Sequence, residues 1–181
     1  MEMETKAKFH ERSVVSIGSN IRPRFEYLQR AVDMFRECDG IEVIAVSRVY
    51  ETPPVSEEGE TYDGDFLNAC IVCDIFLSPV EFMAACHEIE RLNGRDRSME
   101  QEKGNRNRTL DCDIIFYGDQ KTENGQLVIP HPLWPVREFI LKPLADVSDQ
   151  LTEWQRKSME EVVGGIESGE GEAVMLEREL K

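Results

Sequence analysis

Residues 66–94 read FLNACIVCDIFLSPVEFMAACHEIERLNG and contain a predicted strand followed directly by a predicted helix. The first part, roughly 66–76, is a largely apolar run rich in Ile, Val and Cys, which favours a buried strand. Ser78, Pro79 and Glu81 indicate a helix start, because serine can cap, proline fits the first turn and glutamate completes a capping box. The helix predicted from there ends at Asn93-Gly94 and has an apolar stripe of Phe82, Ala85, Cys86, Ile89 and Leu92.

The segments upstream and downstream of this unit supply further strands and helices. Residues 13–17 predict a strand, and apolar residues at helical spacing over 25–35 predict a helix. A second strand is predicted over 41–50, and a fourth over 110–117. The order strand, helix, strand, strand, helix, strand predicts an α+β fold of ferredoxin-like type, an antiparallel sheet with helices packed on one face.

The C-terminal part of the sequence changes character twice. Residues 127–132 are a short extended piece, after which Pro135 is predicted to start a third amphipathic helix through Leu144. Beyond this helix the chain becomes acidic and glycine-rich. We therefore predict one domain over 13–147 and an acidic C-terminal extension over 148–181 that is partly mobile.

Composition excludes several classes of protein. The 181-residue chain has a formal net charge of −15, which disfavours nucleic-acid partners because these require basic surface. No apolar run approaches the roughly 20 residues that cross a bilayer, and the charged N-terminus lacks the apolar stretch of a secretory signal. We expect a cytoplasmic, monomeric protein with no membrane partner.

The five cysteines are interpreted as reduced, core-filling thiols, since four of them lie in apolar segments. Cys70 and Cys73 have the spacing of a metal or redox pair. On a strand, however, residues three apart point to opposite faces, and no second pair or histidine cluster completes a site. Core packing is therefore the favoured interpretation.

A basic segment stands out in the acidic chain. Between Arg95 and Arg108, five of the 21 basic residues fall within 14 positions, against three acids. Arginine clamps phosphate through paired donors, so the segment suggests a site for one small anionic ligand, and its loop, 97–108, could close as a lid. A solvated, merely basic loop explains the composition equally well.

Two aspartates follow this segment on the predicted fourth strand. Strand alternation places Asp111 and Asp113 on one face, with Cβ atoms about 6.6–7 Å apart. Carboxylates so spaced suit Mg²⁺, which binds one or two of them together with phosphate oxygens. Phosphate transfer needs metal and cations to neutralise charge, and this pair with the arginines supplies both. The alternative is an ordinary solvated strand face.

Two further groups of residues have functional and structural interpretations. His131 lies between two prolines, yet a lone histidine is more often structural than catalytic. Phe66 and Asn68, close to the rigid bend at Thr52-Pro-Pro, could stack on and hydrogen-bond a flat heterocycle. Core packing for the ring and turn capping for the amide explain them equally well.

The ordered motifs resemble a known family, 6-hydroxymethyl-7,8-dihydropterin pyrophosphokinase of folate biosynthesis. The resemblance covers about 14–147. It rests on Ile17-Gly-Ser-Asn20, Ser47-Arg-Val-Tyr-Glu-Thr-Pro-Pro54, Asp65-Phe-Leu-Asn-Ala69, Glu90 through Gly94-Arg-Asp-Arg97, Arg108-Thr-Leu-Asp-Cys-Asp-Ile-Ile115 and Pro130-His-Pro132. Where members often have Gly-Pro before the arginine matching Arg108, this chain has Arg106-Asn107.

The resemblance implies transfer of diphosphate from ATP to the pterin hydroxymethyl oxygen, with release of AMP. It implies that Asp111 and Asp113 bind two Mg²⁺ ions and that Arg95 and Arg108 stabilise the transferring phosphates. The implied ATP contacts are Glu90, Arg97, His131 and Arg137. The implied pterin pocket consists of Thr52, Pro53, Val55, Phe66, Asn68 and Phe139.

Two other hypotheses compete with the hypothesis that the chain is an enzyme. A non-catalytic nucleotide- or pterin-binding module could keep the fold without turnover. A ferredoxin-like regulatory or RNA-binding domain is disfavoured by the acidic charge and by the absence of an aromatic RNA-binding pattern. The enzyme is favoured because the polar residues on which the chemistry depends are all present.

Overall fold

The computed structural model describes residues 10–55, 62–95, 107–123, 127–163 and 174–181. In chain order its elements are β1 (Glu11–Ser19), α1 (Arg24–Glu37), β2 (Ile41–Val46), β3 (Tyr50–Thr52), β4 (Phe66–Ile75), α2 (Pro79–Leu92), β5 (Asp111–Tyr117), β6 (Thr122–Glu123), β7 (Val128–Ile129), α3 (Glu138–Asp146), α4 (Glu153–Val163) and β8 (Val174–Met175). Two 3₁₀ turns, Trp134–Val136 and Ser148–Gln150, flank α3.

One antiparallel sheet forms the centre of the fold. Its strands run β5-β1-β4-β3-β8, and β2 also pairs with β4. The strand order and the two helices α1 and α2 confirm the predicted ferredoxin-like arrangement. The strand predicted over 41–50 is two strands, because the Ser47 hydroxyl accepts the Cys70 backbone N–H at 2.8 Å and interrupts the ladder between β2 and β3.

Helices cover both faces of the sheet, not one as predicted. On one face α1 and α2 bury a core that includes Phe35, Phe82 and Cys73. On the other face α3, α4 and the turn at Trp134 bury a second core that includes Cys70. The two thiols therefore lie on opposite faces, as predicted, and burial raises the pKa of each.

The α2 helix begins with the predicted capping box. Ser78 accepts the Glu81 N–H at 3.4 Å, and the Glu81 carboxylate accepts the Ser78 N–H at 2.9 Å. The predicted apolar stripe is wrong at its end, since Leu92 is 51% exposed whereas Glu90 is fully buried. At 100° per residue Leu92 falls beside the buried stripe, and Glu90 faces inward because it has buried polar partners.

The third helix begins later than predicted. Pro135 lies in the 3₁₀ turn, and α3 starts only at Glu138. Arg137 between them has extended backbone angles (φ −104°, ψ 105°), which interrupts helical hydrogen bonding. This break leaves Arg137 in a bend next to the sheet edge.

Described parts of the predicted acidic extension pack on the domain. Gln155 and Met159 of α4 are buried, and β8 pairs with β3 and so extends the sheet. The mobility predicted around Gly164-Gly165 falls outside the described residues. Within the described ranges no helix is both long and apolar enough to cross a membrane.

We predict that Gln155→Ala destabilises the whole domain. The fully buried Gln155 amide donates to the carbonyls of Arg12 (2.8 Å) and Gly118 (2.9 Å), which join α4 to β1 and the end of β5. Loss of these bonds should lower the free energy of unfolding by about 1–3 kcal/mol. Urea titration measures the change, and Arg156→Ala on the exposed side of α4 is the matched control. Equal stability of the two variants would show that α4 is not integral to the fold.

Candidate active site

A cleft of about 630 Å³ opens at the β5 edge of the sheet, between α2, α3 and the loops around β3 and β7. Twelve of the fourteen predicted site residues line it: Thr52, Pro53, Val55, Phe66, Asn68, Arg95, Arg108, Asp111, Asp113, His131, Arg137 and Phe139. Of the other two, Glu90 lies behind the cleft and Arg97 lies outside the described residues, as does most of the 97–108 loop.

The strand register places both aspartates on the floor of this cleft. Asp111 pairs with Gly18 of β1, and Asp113 pairs with Ser16. Both carboxylates face away from the α1/α2 core, into which the intervening Cys112 packs. The shared face that strand alternation predicts is therefore present.

The strand predicted over 13–17 ends before Gly18, and the sequence assigned this residue no role in the site. The structure places it inside β1, between Asp111 on one neighbouring strand and Asn68 on the other. A Cβ atom here would lie 2.9 Å from the Asn68 Oδ1 atom. Glycine thus leaves open the space that joins the carboxylates to the Asn68 side of the cleft. On a strand that continues through residue 18, Val15 and Ile17 share the core face and Gly18 lies on the opposite face. This alternation is the signal that could have placed Gly18 on the cleft face.

Two arginines lie beside the carboxylates. The Arg95 side chain is 6% exposed, donates to Glu90 Oε1 at 2.6 Å and also pairs with Asp111. The Arg108 Nε atom lies 3.7 Å from the Asp111 Oδ1 atom. Glu90 Oε1 also accepts the Cys112 N–H at 2.8 Å, so the buried carboxylate is held by β5 itself. Glu90 therefore fixes the arginine to the strand that carries the aspartates.

The electrostatics of the two aspartates differ. Burial, and then the neighbouring Asp111 carboxylate, raise the pKa of Asp113 to about 7, although Arg137 and Arg95 oppose the shift. Two carboxylates in a poorly solvated cleft favour either a proton or a cation between them. This is the charge arrangement expected of a site that takes up a divalent metal.

His131 and Arg137 line the wall opposite α2. The His131 N–H donates to the Ile115 carbonyl at 3.0 Å, which fixes this segment to β5. Its Nδ1 atom accepts the Leu133 N–H at 3.2 Å, so the ring proton resides on Nε2 when the ring is neutral. Burial, followed by the charge of Arg137, lowers the pKa of His131.

The other half of the cleft combines amides and aromatic rings. Asn68 donates from Nδ2 to the Thr52 hydroxyl at 2.8 Å, which leaves its Oδ1 atom as an acceptor. The Phe66 ring meets Tyr62 edge-on at 5.8 Å, and the Phe139 ring lies 5.4 Å from the Arg137 guanidinium. Flat apolar surface and a fixed acceptor are what a small nitrogen heterocycle requires.

The ferredoxin-like fold, and a cleft that combines carboxylates and arginines with flat apolar surface, are the features expected of an enzyme that transfers phosphate groups to a small heterocycle. The sequence profile of the family described as 7,8-dihydro-6-hydroxymethylpterin-pyrophosphokinase (HPPK) matches residues 14–149. The chain belongs to this family of pyrophosphokinases, which are transferases of folate biosynthesis.

Individual relatives agree with this assignment. The Bacillus subtilis 2-amino-4-hydroxy-6-hydroxymethyldihydropteridine pyrophosphokinase is 34% identical over 137 residues, covering 76% of this chain and 78% of the relative. The Synechocystis enzyme of the same name is 38% identical over 140 residues, covering 75% and 66%. The folic acid synthesis protein fol1 of Schizosaccharomyces pombe is 37% identical, but the match spans only 18% of its length.

Solved structures support the fold. The Plasmodium falciparum HPPK-DHPS, solved with pterin and p-hydrobenzoate, superposes with a TM-score of 0.60 at 16% identity. The match covers 88% of this chain and 45% of that longer one. The shared part is thus one portion of a larger protein in that organism.

We predict that Asp113→Asn stabilises the metal-free protein increasingly as pH rises. The folded-state pKa of Asp113 is about 7 against an ordinary 3.8, so the native state binds a proton that the unfolded chain releases. Wild-type stability from this group is therefore lost as pH rises from about 4 to 7. The variant should exceed wild type by up to about 4 kcal/mol at pH 8 and by less at pH 5.

Thermal and urea unfolding in EDTA at the two pH values measure this difference. Asp39→Asn, at an exposed turn, removes the same charge away from the cleft and is the control. A wild-type advantage at pH 8 would contradict the charge arrangement described for the two aspartates.

Proposed function

We propose that this cleft transfers the β,γ-diphosphate of ATP to the hydroxymethyl oxygen of 6-hydroxymethyl-7,8-dihydropterin and releases AMP. One observation carries the proposal: two carboxylates and two arginines line the same cleft as an amide and aromatic rings suited to a pterin. Gly18 keeps these two halves open to each other. A donor and an acceptor can therefore meet above β5.

The carboxylates fit Mg²⁺. Asp111 and Asp113 are hard oxygen donors, and burial followed by the neighbouring Asp111 carboxylate raises the pKa of Asp113, so a bound cation would stabilise its ionised form. Mg²⁺ binds one or two carboxylates in proteins together with water and substrate phosphates, so phosphate oxygens and water would complete the coordination of two ions at Asp111 and Asp113. Bound Mg²⁺ supplies charge neutralisation for the ATP phosphates.

The arginines supply the fixed positive charge. Arg95 and Arg108 approach Asp111 from different segments, so both guanidinium groups lie beside the carboxylates and bring positive charge to the part of the cleft proposed to hold the phosphates. Glu90 is fully buried against Arg95. We infer that it orients this arginine rather than contacting ATP. Arg97 keeps its proposed role in ATP binding, on a loop outside the described residues.

His131 and Arg137 are proposed to bind the ATP phosphates from the facing wall. The His131 Nε2–H can donate while its Nδ1 atom is held by the Leu133 N–H. Because the pKa of His131 is lowered, it serves as a neutral donor at physiological pH. Arg137 provides the positive charge on that wall.

The pterin is proposed to lie between the Phe66 and Phe139 rings, with Thr52, Pro53 and Val55 at its outer side. Asn68 Oδ1 can accept a hydrogen bond from the amino or ring N–H of the pterin, because the Asn68 Nδ2 atom is held by Thr52. This orientation would aim the hydroxymethyl group toward Asp111 and Asp113. Rings on both sides exclude water from the acceptor oxygen.

We further propose that residues 13–147 form the catalytic domain and that the protein acts as a cytoplasmic monomer. All five cysteines are free and four of them are buried, which supports a compartment that keeps thiols reduced. Twelve of the fourteen predicted site residues line the cleft within one copy of the chain, which supports a monomer.

We predict that wild type releases AMP from ATP only with the pterin and Mg²⁺ present, and that Asp111→Ala or Asp113→Ala lowers kcat/KM by at least about 100-fold. The reason is the loss of charge neutralisation at the phosphates, of the size expected for one strong electrostatic contact. Chromatographic separation of AMP and ADP identifies the transferred group. Asp33→Ala, exposed on α1, is the control.

Three outcomes would contradict the proposal. Release of ADP instead of AMP would mean transfer of a single phosphate. Full activity in either aspartate variant would show that the substituted carboxylate has no role in the reaction. Tight binding of ATP and pterin without turnover would show that the chain is a non-catalytic binding module.

A further inference from the structure

The side chain of Asn107 is bonded to two separate segments of the cleft wall. Its Oδ1 atom accepts from Asn20 Nδ2 at 2.6 Å and from the Asp63 backbone N–H at 2.9 Å. Its Nδ2 atom donates to the Asp63 carboxylate at 2.6 Å. The amide orientation is fixed, since a carboxylate can only accept and a backbone N–H can only donate. We call these three side chains the Asn107 bridge.

On one side the bridge reaches the catalytic arginine. Asn20 Oδ1 accepts the Arg108 N–H at 2.7 Å, and the Asn20 N–H donates to the Arg108 carbonyl at 3.2 Å. Both backbone groups of Arg108 are therefore held by Asn20, whose own amide is held by Asn107. The Arg108 guanidinium lies against Asp111, so its position depends on this chain of bonds.

On the other side the bridge reaches the pterin wall. Asp63 is adjacent to Tyr62, whose hydroxyl donates to the Val55 carbonyl at 3.2 Å and whose ring meets Phe66. Val55, Tyr62 and Phe66 all line the cleft. A displacement at Asp63 would therefore move residues proposed to contact the pterin.

We propose that Asn107 is a positioning residue that couples the pterin wall to Arg108, so that ordering one half of the cleft orders the other. This inference rests on the proposed function for the identity of the two ligands. Of the three side chains, Asn107 is partly exposed and Asp63 is exposed, so substitutions at these two positions leave the buried cores in place. Its loss changes substrate binding rather than folding.

The test uses an exchange of the two side chains. Asn107→Asp places a carboxylate against Asp63 and should raise KM for both ATP and pterin by about fivefold to tenfold, as expected for loss of hydrogen bonds to a charged group. In the double variant with Asp63→Asn, the new amide can donate to the new carboxylate, and all three bonds return. Both KM values should then fall to within about twofold of wild type.

Controls separate positioning from a structural effect. Asp63→Asn alone should remain near wild type, because its amide oxygen can still accept from Asn107. Asn107→Ala should raise both KM values with a melting temperature close to wild type. Hydrogen exchange at residues 62–66 should accelerate in Asn107→Ala and Asn107→Asp and return to the wild-type rate in the exchanged pair.

The proposal is overturned if Asn107→Asp matches wild type, if the exchanged pair stays impaired, or if Asn107→Ala changes only the melting temperature. Hydrogen exchange at residues 62–66 measures the effect of the Asn107 bridge without requiring catalytic turnover. If the wild-type protein releases no AMP, the proposed function is contradicted, and hydrogen exchange still tests the Asn107 bridge. If the wild-type protein turns over normally and the Asn107 variants change neither the KM values nor hydrogen exchange, only the proposal for the Asn107 bridge is contradicted.

Discussion

The register of β5 against β1 is the constraint on which the rest of the site depends. Pairing of Asp111 with Gly18 and of Asp113 with Ser16 turns both carboxylates toward the cleft and packs the intervening cysteine in the core. A slip of one residue would bury both charges among α1 and α2 and expose Cys112. Because Glu90 binds the Cys112 N–H, the buried carboxylate also helps to hold this register.

Arginines compensate much of the buried negative charge in the site. Arg95 lies between Glu90 and Asp111, Arg108 also approaches Asp111, and burial together with the Asp111 carboxylate keeps the pKa of Asp113 raised. A chain with a net charge of −15 thus concentrates positive side chains at this site. ATP with its divalent metal would complete this balance, whereas a free nucleotide would add negative charge to it.

The sequence predicted the framework because its signals are local. The capping box of α2, the helical spacing in α1 and the alternation in β5 each depend on neighbouring residues, and all three are confirmed. The errors arose where distant partners decide the structure. The Ser47 hydroxyl split one predicted strand by binding Cys70. Glu90 is buried although it is charged, because Arg95 and the Cys112 N–H satisfy its carboxylate. No local pattern reveals such partners.

The candidate site was likewise predictable only in part. Its polar residues were selected by chemistry and by ordered motifs, but Gly18 has no side chain to suggest a role, and the links of Asn107 join positions 44 and 87 residues away. The most direct test is a crystal structure with Mg²⁺, a non-hydrolysable ATP analogue and 6-hydroxymethyl-7,8-dihydropterin. We expect metal between the phosphates and the carboxylates of Asp111 and Asp113, with the pterin against Asn68. Phosphates bound away from β5, or a pterin outside the cleft, would contradict it.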